Sequence, residues 1–330
     1  MTPFWEFQIL LSLWFQNIGD WLLIPMKLFT SMGQEEFYML VLPALYWCLE
    51  SRLGIRIGFM LMISNYFGNF FKIIFHIPRP AWVSPKIKPL VHETTFGFPS
   101  GHSTNAAGIW GLAAVSTKQK WIRFTLLIVI LMIGISRIYL GVHSITDILS
   151  GWMLGGILLF LFIKFEDRLV SWFKLKPFKK MLLWNILVST IAILLGIILD
   201  SIMSTWQLPQ VWIQNAALTS GNEPISPLSQ SYLFTTSGTI FGLILGLSIL
   251  YSRKTFYSID GTVIQKIFRY LLGTIILFAI WYGLKFIFPA QDNFIGFAFR
   301  FIRYALVGFW VSAGAPYTFI KMGLAGTNSD

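Results

Sequence analysis

The chain is poor in the residues that form disulfides, metal–thiolate sites and water-soluble surfaces. Cys48 is the only cysteine, which excludes an intrachain disulfide and a cysteine-based metal site. Charged residues make up 12% of the 330 residues, whereas a soluble globular domain has roughly 25%. The length alone would suggest two soluble domains. The scarcity of charge argues against them.

Apolar residues take the place of the missing charge. They make up 55% of the chain, and the mean hydropathy is +0.68. A helix crosses a bilayer core of roughly 30 Å with about 20 apolar residues, so these runs predict an all-α polytopic membrane bundle. About nine transmembrane helices are expected, at residues 36–49, 55–76, 102–117, 122–141, 144–163, 181–199, 232–250, 268–288 and 297–320.

The positive charge is unevenly distributed among the loops. The net charge of +11 arises without a basic stripe interleaved with aromatics, so nucleic-acid binding is not expected. One set of loops is rich in Lys and Arg, such as residues 164–180, while residues 201–231 contain neither. The positive-inside rule makes the basic side cytoplasmic. Nine spans then place the N-terminus outside and the C-terminus in the cytoplasm.

The N-terminal segment has the composition of a membrane-surface helix. Its first residues lack Lys, Arg and a small-residue cleavage site, so no secretory signal peptide is predicted. Residues 4–17 mix Trp5 and Leu10 with Gln8 and Gln16. This mixture predicts an interfacial segment that comprises residues 1–33. A tenth span running into Leu23 is the alternative.

Several cations lie where apolar residues would be expected. Lys72 lies inside the second apolar run, where a charge is costly and usually marks function. Arg79 follows at the end of that span, and Arg137 lies near the end of the fourth. Three cations that converge on the outer side suit a tetrahedral dianion, because Arg matches phosphate oxygens with its fork and Lys acts as a point charge.

Two further segments add groups that could act on such an anion. Ser100 suits a helix N-cap, Gly101 lets the backbone approach a ligand closely, and His102 follows directly. His143 and Asp147 are four residues apart, so both are expected on one helical face. A carboxylate on one ring nitrogen fixes the histidine tautomer and leaves the other nitrogen free to attack.

Together these segments resemble the three motifs of the type 2 phosphatidic acid phosphatase superfamily, which also includes vanadium haloperoxidases. The family pattern is Lys, six residues and Arg-Pro; then Pro-Ser-Gly-His; then Ser-Arg, five residues, His, three residues and Asp. Every specified position is met, by Lys72, Arg79, Pro80, Pro99, Ser100, Gly101, His102, Ser136, Arg137, His143 and Asp147. The resemblance implies a phosphatase core at residues 34–165, followed by a four-span extension at residues 181–330.

The resemblance also implies a role for each motif residue. His143 attacks phosphorus and forms a phosphohistidine, Asp147 orients His143, and His102 first protonates the leaving oxygen and then activates water. The phosphoryl oxygens are bound by Lys72, Arg79, Ser100, Gly101 and Arg137. The resemblance implies that no metal or cofactor is required, and the sequence agrees, since no acidic pair is positioned to hold Mg²⁺ near these motifs.

Three cations in the second half of the sequence remain open to two interpretations. Arg300 and Arg303 lie near the outer end of the ninth span, and Lys285 lies near the end of the eighth. They either snorkel to the outer interface or line a cavity beside the core that helps recognise substrate. His76 and His92 match no motif position and are interpreted as interfacial or loop residues.

The predicted function is therefore an integral membrane phosphatase of a lipid phosphate monoester or diphosphate, such as phosphatidic acid, a sphingoid-base phosphate or an isoprenoid diphosphate. Its expected partner is the membrane lipid substrate, and its site faces away from the cytoplasm. The extension resembles the sphingosine-1-phosphate phosphatase and glucose-6-phosphatase branches. The alternatives are a sugar phosphatase like glucose-6-phosphatase, a membrane transporter, and a vanadate-dependent haloperoxidase. The sequence does not determine the oligomeric state.

Overall fold

The computed structural model describes residues 2–203, 205–220, 224–254, 256–289 and 293–328, and these are predominantly helical. The α-helices are α1 Pro3–Gln16, α2 Leu23–Ser31, α3 Glu35–Ala44, α4 Ser51–Phe75, α5 Pro80–Val83, α6 Gly101–Asn105, α7 Gly111–Ser116, α8 Lys120–Tyr139, α9 Ile145–Lys174, α10 Phe178–Met203, α11 Gln210–Ser220, α12 Ser231–Ser252, α13 Val263–Phe278, α14 Leu284–Ile287, α15 Phe294–Phe309 and α16 Ala315–Lys321. Two-residue strands, β1 Phe256–Tyr257 and β2 Thr327–Asn328, pair antiparallel. The all-α fold class is confirmed.

Several helices continue into one another through a single wide π turn. Leu45–Leu49 prolongs α3, Ala106–Trp110 joins α6 to α7, Ala279–Gly283 joins α13 to α14, and Trp310–Gly314 joins α15 to α16. A short 3₁₀ turn, Asp20–Leu22, precedes α2. These junctions explain why single apolar runs in the sequence correspond to two helices in the structure.

Seven helices of the described residues are long and apolar enough to cross a membrane, or eight if the bent N-terminal pair is one span. The predicted count of nine was therefore approximate. The predicted spans 36–49 and 102–117 are helical, but each is shorter than the 18 residues that a span requires. In the N-terminal pair, Pro3–Gln16 and Asp20–Ser31 are bent by 84°. The chain is a multi-pass integral membrane protein.

The chain divides into two compact units. The first comprises residues 1–38, 63–161 and 199–229, and the second comprises residues 39–62, 162–198 and 230–330. The predicted domains at 1–33, 34–165 and 181–330 divide the sequence by function and stay a prediction. Met1 and Asp330, the ends to which an orientation was assigned, lie outside the described residues.

The first unit is built on small clusters of buried apolar side chains. Met26 of α2 packs with Tyr139 and Leu140 at the end of α8. Trp82 of α5 and Phe96 pack with Ala216 of α11, so α11 belongs to the same unit as the motif region.

The second unit contains a close helix pair, α12 with α15, packed on small residues. A Cβ at Gly242 would meet the Ala305 carbonyl oxygen at 1.9 Å, and a Cβ at Gly308 would meet the Thr239 carbonyl oxygen at 2.3 Å. Only glycine therefore fits at these two positions, as is typical of membrane helix pairs that bring their backbones together. A cluster around the fully buried Trp47 completes the unit.

Candidate active site

The first motif contributes two buried cations from the end of α4 and the start of α5. Lys72 donates from Nζ to Thr95 Oγ1 at 2.8 Å. Arg79 precedes α5, in which Pro80 takes the first position and so loses no hydrogen bond. The Arg79 side chain is 2% exposed and donates to the Thr95 carbonyl oxygen at 2.6 Å and to the Val142 carbonyl oxygen at 2.9 Å. These backbone contacts fix the guanidinium in place.

The second motif begins α6. Ser100 is its N-cap, as predicted, and its hydroxyl accepts from Ser103 N at 3.4 Å. The Ser100 backbone N–H donates to the Asp147 carbonyl oxygen at 2.9 Å, which ties the second motif to the third. A Cβ added at Gly101 would meet no atom within 4 Å. The backbone of Gly101 is therefore open to a ligand.

The third motif holds the histidine–carboxylate pair through a capping arrangement at the start of α9. Ser144 N donates to Asp147 Oδ2 at 2.8 Å, and Asp147 N donates to Ser144 Oγ at 3.3 Å. This reciprocal pair is a capping box with Asp in the usual Glu position. The same Oδ2 lies 3.3 Å from His143 Nδ1.

The expectation that His143 and Asp147 share one helical face was wrong. Helix α9 begins at Ile145, so His143 lies in the preceding loop and only Asp147 is helical. Ser144 prefers to cap a helix rather than continue one, because its hydroxyl competes for backbone N–H groups. The two side chains do lie together, as the four-residue spacing predicted, but the Ser144 cap brings them together and not a shared helical face.

The contacts of His143 assign its tautomer. Arg79 Nη1 lies 3.1 Å from His143 Nε2, and a guanidinium can only donate. Nε2 is therefore the acceptor, and Nδ1 carries the hydrogen that points at Asp147. Burial lowers the pKa of His143 well below its usual value, and the positive charges of Arg79, Arg137 and Lys72 lower it further. The imidazole is held neutral, with the Nε2 lone pair directed into the cluster of cations.

Glu93 joins the two motif arginines. Its Oε2 accepts from Arg79 Nη2 at 3.2 Å, and its Oε1 accepts from Arg137 Nη2. Arg137 is 1% exposed and also donates from Nη1 to Thr30 Oγ1 at 2.6 Å. Burial by itself raises the pKa of Glu93, but Arg79 and Arg137 outweigh it and hold the pKa below its usual range. Glu93 is thus a carboxylate anion between two buried guanidinium groups.

Some buried polar atoms at the site lack a partner within the described residues. They are His102 Nε2, Arg137 Nε and Asp147 Oδ1. Buried polar atoms normally have a hydrogen-bond partner, and the exceptions require an explanation such as a ligand or a catalytic role. His102 also acts electrostatically on Glu93 and on His143, so it belongs to the same cluster.

The eight motif residues to which the sequence assigned a role therefore all lie in the first unit. The sequence did not reveal the residues that hold them: Thr30, Thr95 and Ser144. Glu93 was also not among the predicted site residues. Gln8 was also missed, because its polar character favoured the membrane surface. It is 2% exposed and accepts from Ile145 N at 3.2 Å, beside the His143–Asp147 pair. A buried glutamine of α1 that contacts the start of α9 has no signature in a single sequence.

The three cations of the second half lie together in the second unit. Lys285, Arg300 and Arg303 line one cavity, with Phe288, Pro289, Gly296 and Phe299. Their part in substrate recognition stays a prediction. Within the described residues, no three His, Cys, Asp or Glu side chains are grouped so that they could hold a metal ion.

Two family models match the chain. Residues 53–171 match the model described as the PAP2 superfamily, and this range contains all the motif residues. Residues 234–327 match a model described as a PAP2 superfamily phosphatase, transmembrane extension.

Named relatives resemble different parts of the chain. Phosphatidylglycerophosphatase B of Bacillus subtilis (strain 168) is 41% identical over 96 residues, which are 26% of this chain and 47% of that protein. Sphingosine-1-phosphate phosphatase 1 of Mus musculus is 24% identical over 329 residues, 90% of this chain and 71% of that protein. A crystal structure of a transmembrane PAP2 type phosphatidylglycerolphosphate phosphatase from Bacillus subtilis has 26% identity, covers 51% of this chain and 88% of its own, and gives a TM-score of 0.43. The chain thus spans about half of the first relative and most of the mouse protein.

Proposed function

This chain belongs to the PAP2 superfamily, and from that membership we propose that it is a membrane phosphatase that hydrolyses a lipid phosphate. The observation that carries the proposal is the buried His143–Asp147 pair, in which His143 Nε2 bears no hydrogen and lies 3.1 Å from the guanidinium of Arg79. A neutral imidazole beside fixed cations is what nucleophilic attack on a phosphate dianion needs.

In the first step, the Nε2 lone pair of His143 forms a bond to phosphorus, and the bond from phosphorus to the lipid oxygen breaks. The leaving oxygen takes a proton from His102, whose Nε2 has no partner within the described residues. Asp147 accepts the hydrogen of Nδ1 and stabilises the positive charge that develops on the ring. Arg79, Arg137 and Lys72 bind the phosphoryl oxygens.

In the second step, His102 accepts a proton from water, and the water oxygen bonds to phosphorus. The phosphorus–nitrogen bond breaks, which returns neutral His143 and releases inorganic phosphate. The same residue acts first as an acid and then as a base, because the second step reverses the proton transfer of the first. Neither step calls for a metal ion or a cofactor.

The proposed substrate class is a phosphate on an amphiphilic lipid, with sphingoid-base phosphates and glycerolipid phosphates first. The similarity to a sphingosine-1-phosphate phosphatase supports this, because it extends over 90% of the chain and includes the extension. The similarity to a phosphatidylglycerophosphatase is confined to 26% of the chain. A multi-pass protein also lets the lipid tail stay in the bilayer while the headgroup reacts.

The test is phosphate release by the full-length protein in detergent with EDTA present. Phosphatidic acid, sphingosine 1-phosphate, phosphatidylglycerol phosphate, farnesyl diphosphate and glucose 6-phosphate are compared. We expect release from at least one lipid, loss of that activity in His143→Ala, and retention in His92→Ala, which removes an exposed histidine of the same region. Release that survives His143→Ala would overturn the nucleophile. Release from glucose 6-phosphate alone would overturn the lipid substrate.

The proposed site faces the exoplasmic side, which is periplasmic or extracellular in a bacterium and lumenal in a eukaryote. The basic loops support this orientation, with the N-terminus outside and the C-terminus cytoplasmic. The single cysteine makes the test simple, because Cys48→Ser leaves no thiol. In that background, Lys86→Cys should react with an impermeant maleimide from outside, and Lys118→Cys should not. Both lysines are exposed. The orientation would be refuted if both cysteines reacted from outside, or if only the cysteine at position 118 did.

A further inference from the structure

The second unit contains a cavity between the end of one candidate span and the beginning of the next. The first span ends with α14 and the second begins with α15, and about 390 Å³ of space that is open to solvent lies between them. Its cationic lining comes from Lys285 of the first span and from Arg300 and Arg303 of the second. The catalytic chemistry proposed above uses none of these side chains.

The two arginines are placed inside the membrane-spanning length of the helix. At 1.5 Å per residue, Arg300 lies about 9 Å and Arg303 about 14 Å from the start of α15. They are three residues apart and therefore on one helical face, and Gly296 lies on that face one turn before Arg300. Charges within a span are costly and are usually retained because they serve a function.

The cavity brings together three positive charges. Within the described residues, no carboxylate lies within ion-pair distance of any of the three cations. Two of them lie over aromatic faces, Lys285 at 5.6 Å from the Tyr282 ring and Arg303 at 5.0 Å from the Tyr304 ring. Arg303 Nε is buried and has no hydrogen-bond partner within the described residues. Three like charges that face one space repel one another unless an anion is present.

The remaining wall of the cavity is apolar. The rings of Phe288 and Phe299 contact each other with their centroids 4.6 Å apart and their planes tilted by 43°, and Pro289 also lines the cavity. Guanidinium forks and an ammonium group match phosphate oxygens, while aromatic rings at the end of a span suit the glycerol and upper acyl region of a lipid. A free anion would use the cations but not the aromatic wall.

From these observations we propose that the Lys285–Arg300–Arg303 cavity binds the phosphate of an anionic membrane lipid headgroup. The site is a binding site and carries out no chemistry. It does not depend on the chain being a phosphatase, because the ligand is bound whether or not another site hydrolyses it. Free inorganic phosphate shares the same chemistry, and the experiment separates the two sources.

The experiment measures lipid binding by the full-length protein in neutral detergent, with native mass spectrometry and thermal denaturation. The probes are short-chain phosphatidylglycerol, phosphatidylcholine of the same chain length, and inorganic phosphate. The variant is Lys285→Gln/Arg300→Gln/Arg303→Gln. The matched control, Lys179→Gln/Lys180→Gln/Lys321→Gln, removes the same charge from exposed lysines of the same unit. Every protein is also measured with Arg79→Gln, so that binding at the catalytic site does not obscure the result.

We expect phosphatidylglycerol to bind the unaltered chain at least 10-fold more tightly than it binds the cavity variant, while the control binds like the unaltered chain. Phosphatidylcholine should bind weakly to all three. Equal binding of phosphatidylglycerol by the cavity variant would overturn the proposal and indicate that the arginines only snorkel. An equal loss in the control would also overturn it, because the effect would then be one of net charge.

A second variant guards against a folding defect. Arg300→Lys/Arg303→Lys keeps both charges but removes the guanidinium forks, so it should fold like the unaltered chain and bind with intermediate affinity. Inorganic phosphate could raise the melting temperature of the unaltered chain as strongly as phosphatidylglycerol does and have no effect on the cavity variant. That result would show that the cavity binds an anion, and it would refute a lipid headgroup as the ligand.

Discussion

Glu93 bridges the two arginines that the proposed mechanism assigns to the phosphoryl group, and Glu93→Gln measures the cost of that bridge. The carboxylate accepts from Arg79 with one oxygen and from Arg137 with the other. A substrate phosphate needs the same guanidinium hydrogens. Glutamine preserves the length of the side chain, but it has one acceptor oxygen and no charge. The variant can therefore hold only one of the two arginines.

The expected magnitude follows from the number of contacts that are lost. A hydrogen bond to a charged group contributes about 1.5–3 kcal/mol. A phosphate that no longer has to displace one of these contacts should bind more tightly by the same amount, which corresponds to roughly 10- to 100-fold in its dissociation constant. Without phosphate, the variant should be less stable. Breaking a buried pair costs about 3–5 kcal/mol, and the 23% exposure of Glu93 makes the cost smaller here.

The assay is thermal denaturation in detergent over a series of inorganic phosphate concentrations, together with product inhibition by phosphate. Glu93→Gln should melt at a lower temperature than the unaltered chain without phosphate, and it should gain more from added phosphate. Glu36→Gln, which changes an exposed glutamate of the same unit, is the control and should match the unaltered chain in both measurements.

An unchanged or weaker affinity of Glu93→Gln for phosphate would refute the reasoning. It would mean that Glu93 orients the arginines for phosphate rather than competing with phosphate for them. Turnover distinguishes the two cases independently. A competing carboxylate lowers the inhibition constant of phosphate in the variant, whereas an orienting carboxylate lowers kcat and leaves or raises that constant.

Three further predictions concern the same site. Gly101→Ala should lower kcat/KM at least 10-fold without lowering the melting temperature, because its Cβ would enter space that is open in the structure. Gly156→Ala, whose Cβ would also meet no other atom, is the control. Equal activities of the two variants would refute the role of Gly101. Ser144→Ala should lower the free energy of unfolding by about 1 kcal/mol and reduce kcat, because it removes the cap that holds Asp147. Ser144→Thr keeps a capping hydroxyl and should restore both. An unchanged kcat in Ser144→Ala would show that the cap does not position the carboxylate. The pKa of His143 is lowered in the folded protein, so the unfolded chain binds its proton first as the pH falls below about 6.5, and the melting temperature should then decrease. His143→Gln should make that decrease shallower. If the variant shows the same pH dependence as the unaltered chain, the lowered pKa of His143 is contradicted.

The sequence determined the features that depend on composition and short-range spacing. Apolar runs gave seven of the expected spans, some with ends close to those observed, such as 232–250 against Ser231–Ser252. The span predicted at 144–163 instead continues as one helix to Lys174. The three motifs identified the family, since the reacting groups must keep fixed intervals along the chain. Ser100 could be recognised as an N-cap because capping is a local preference of the serine side chain.

The tertiary structure alone decided what holds those groups. Thr30 and Gln8 come from the N-terminal helices, and their contacts with Arg137 and with the start of α9 connect positions more than 100 residues apart. Such contacts leave no mark in one sequence, because any buried polar side chain of the right length would serve. Likewise, hydropathy could not show that Lys285, Arg300 and Arg303 share one cavity, since it measures the cost of a charge and not the direction in which its side chain points.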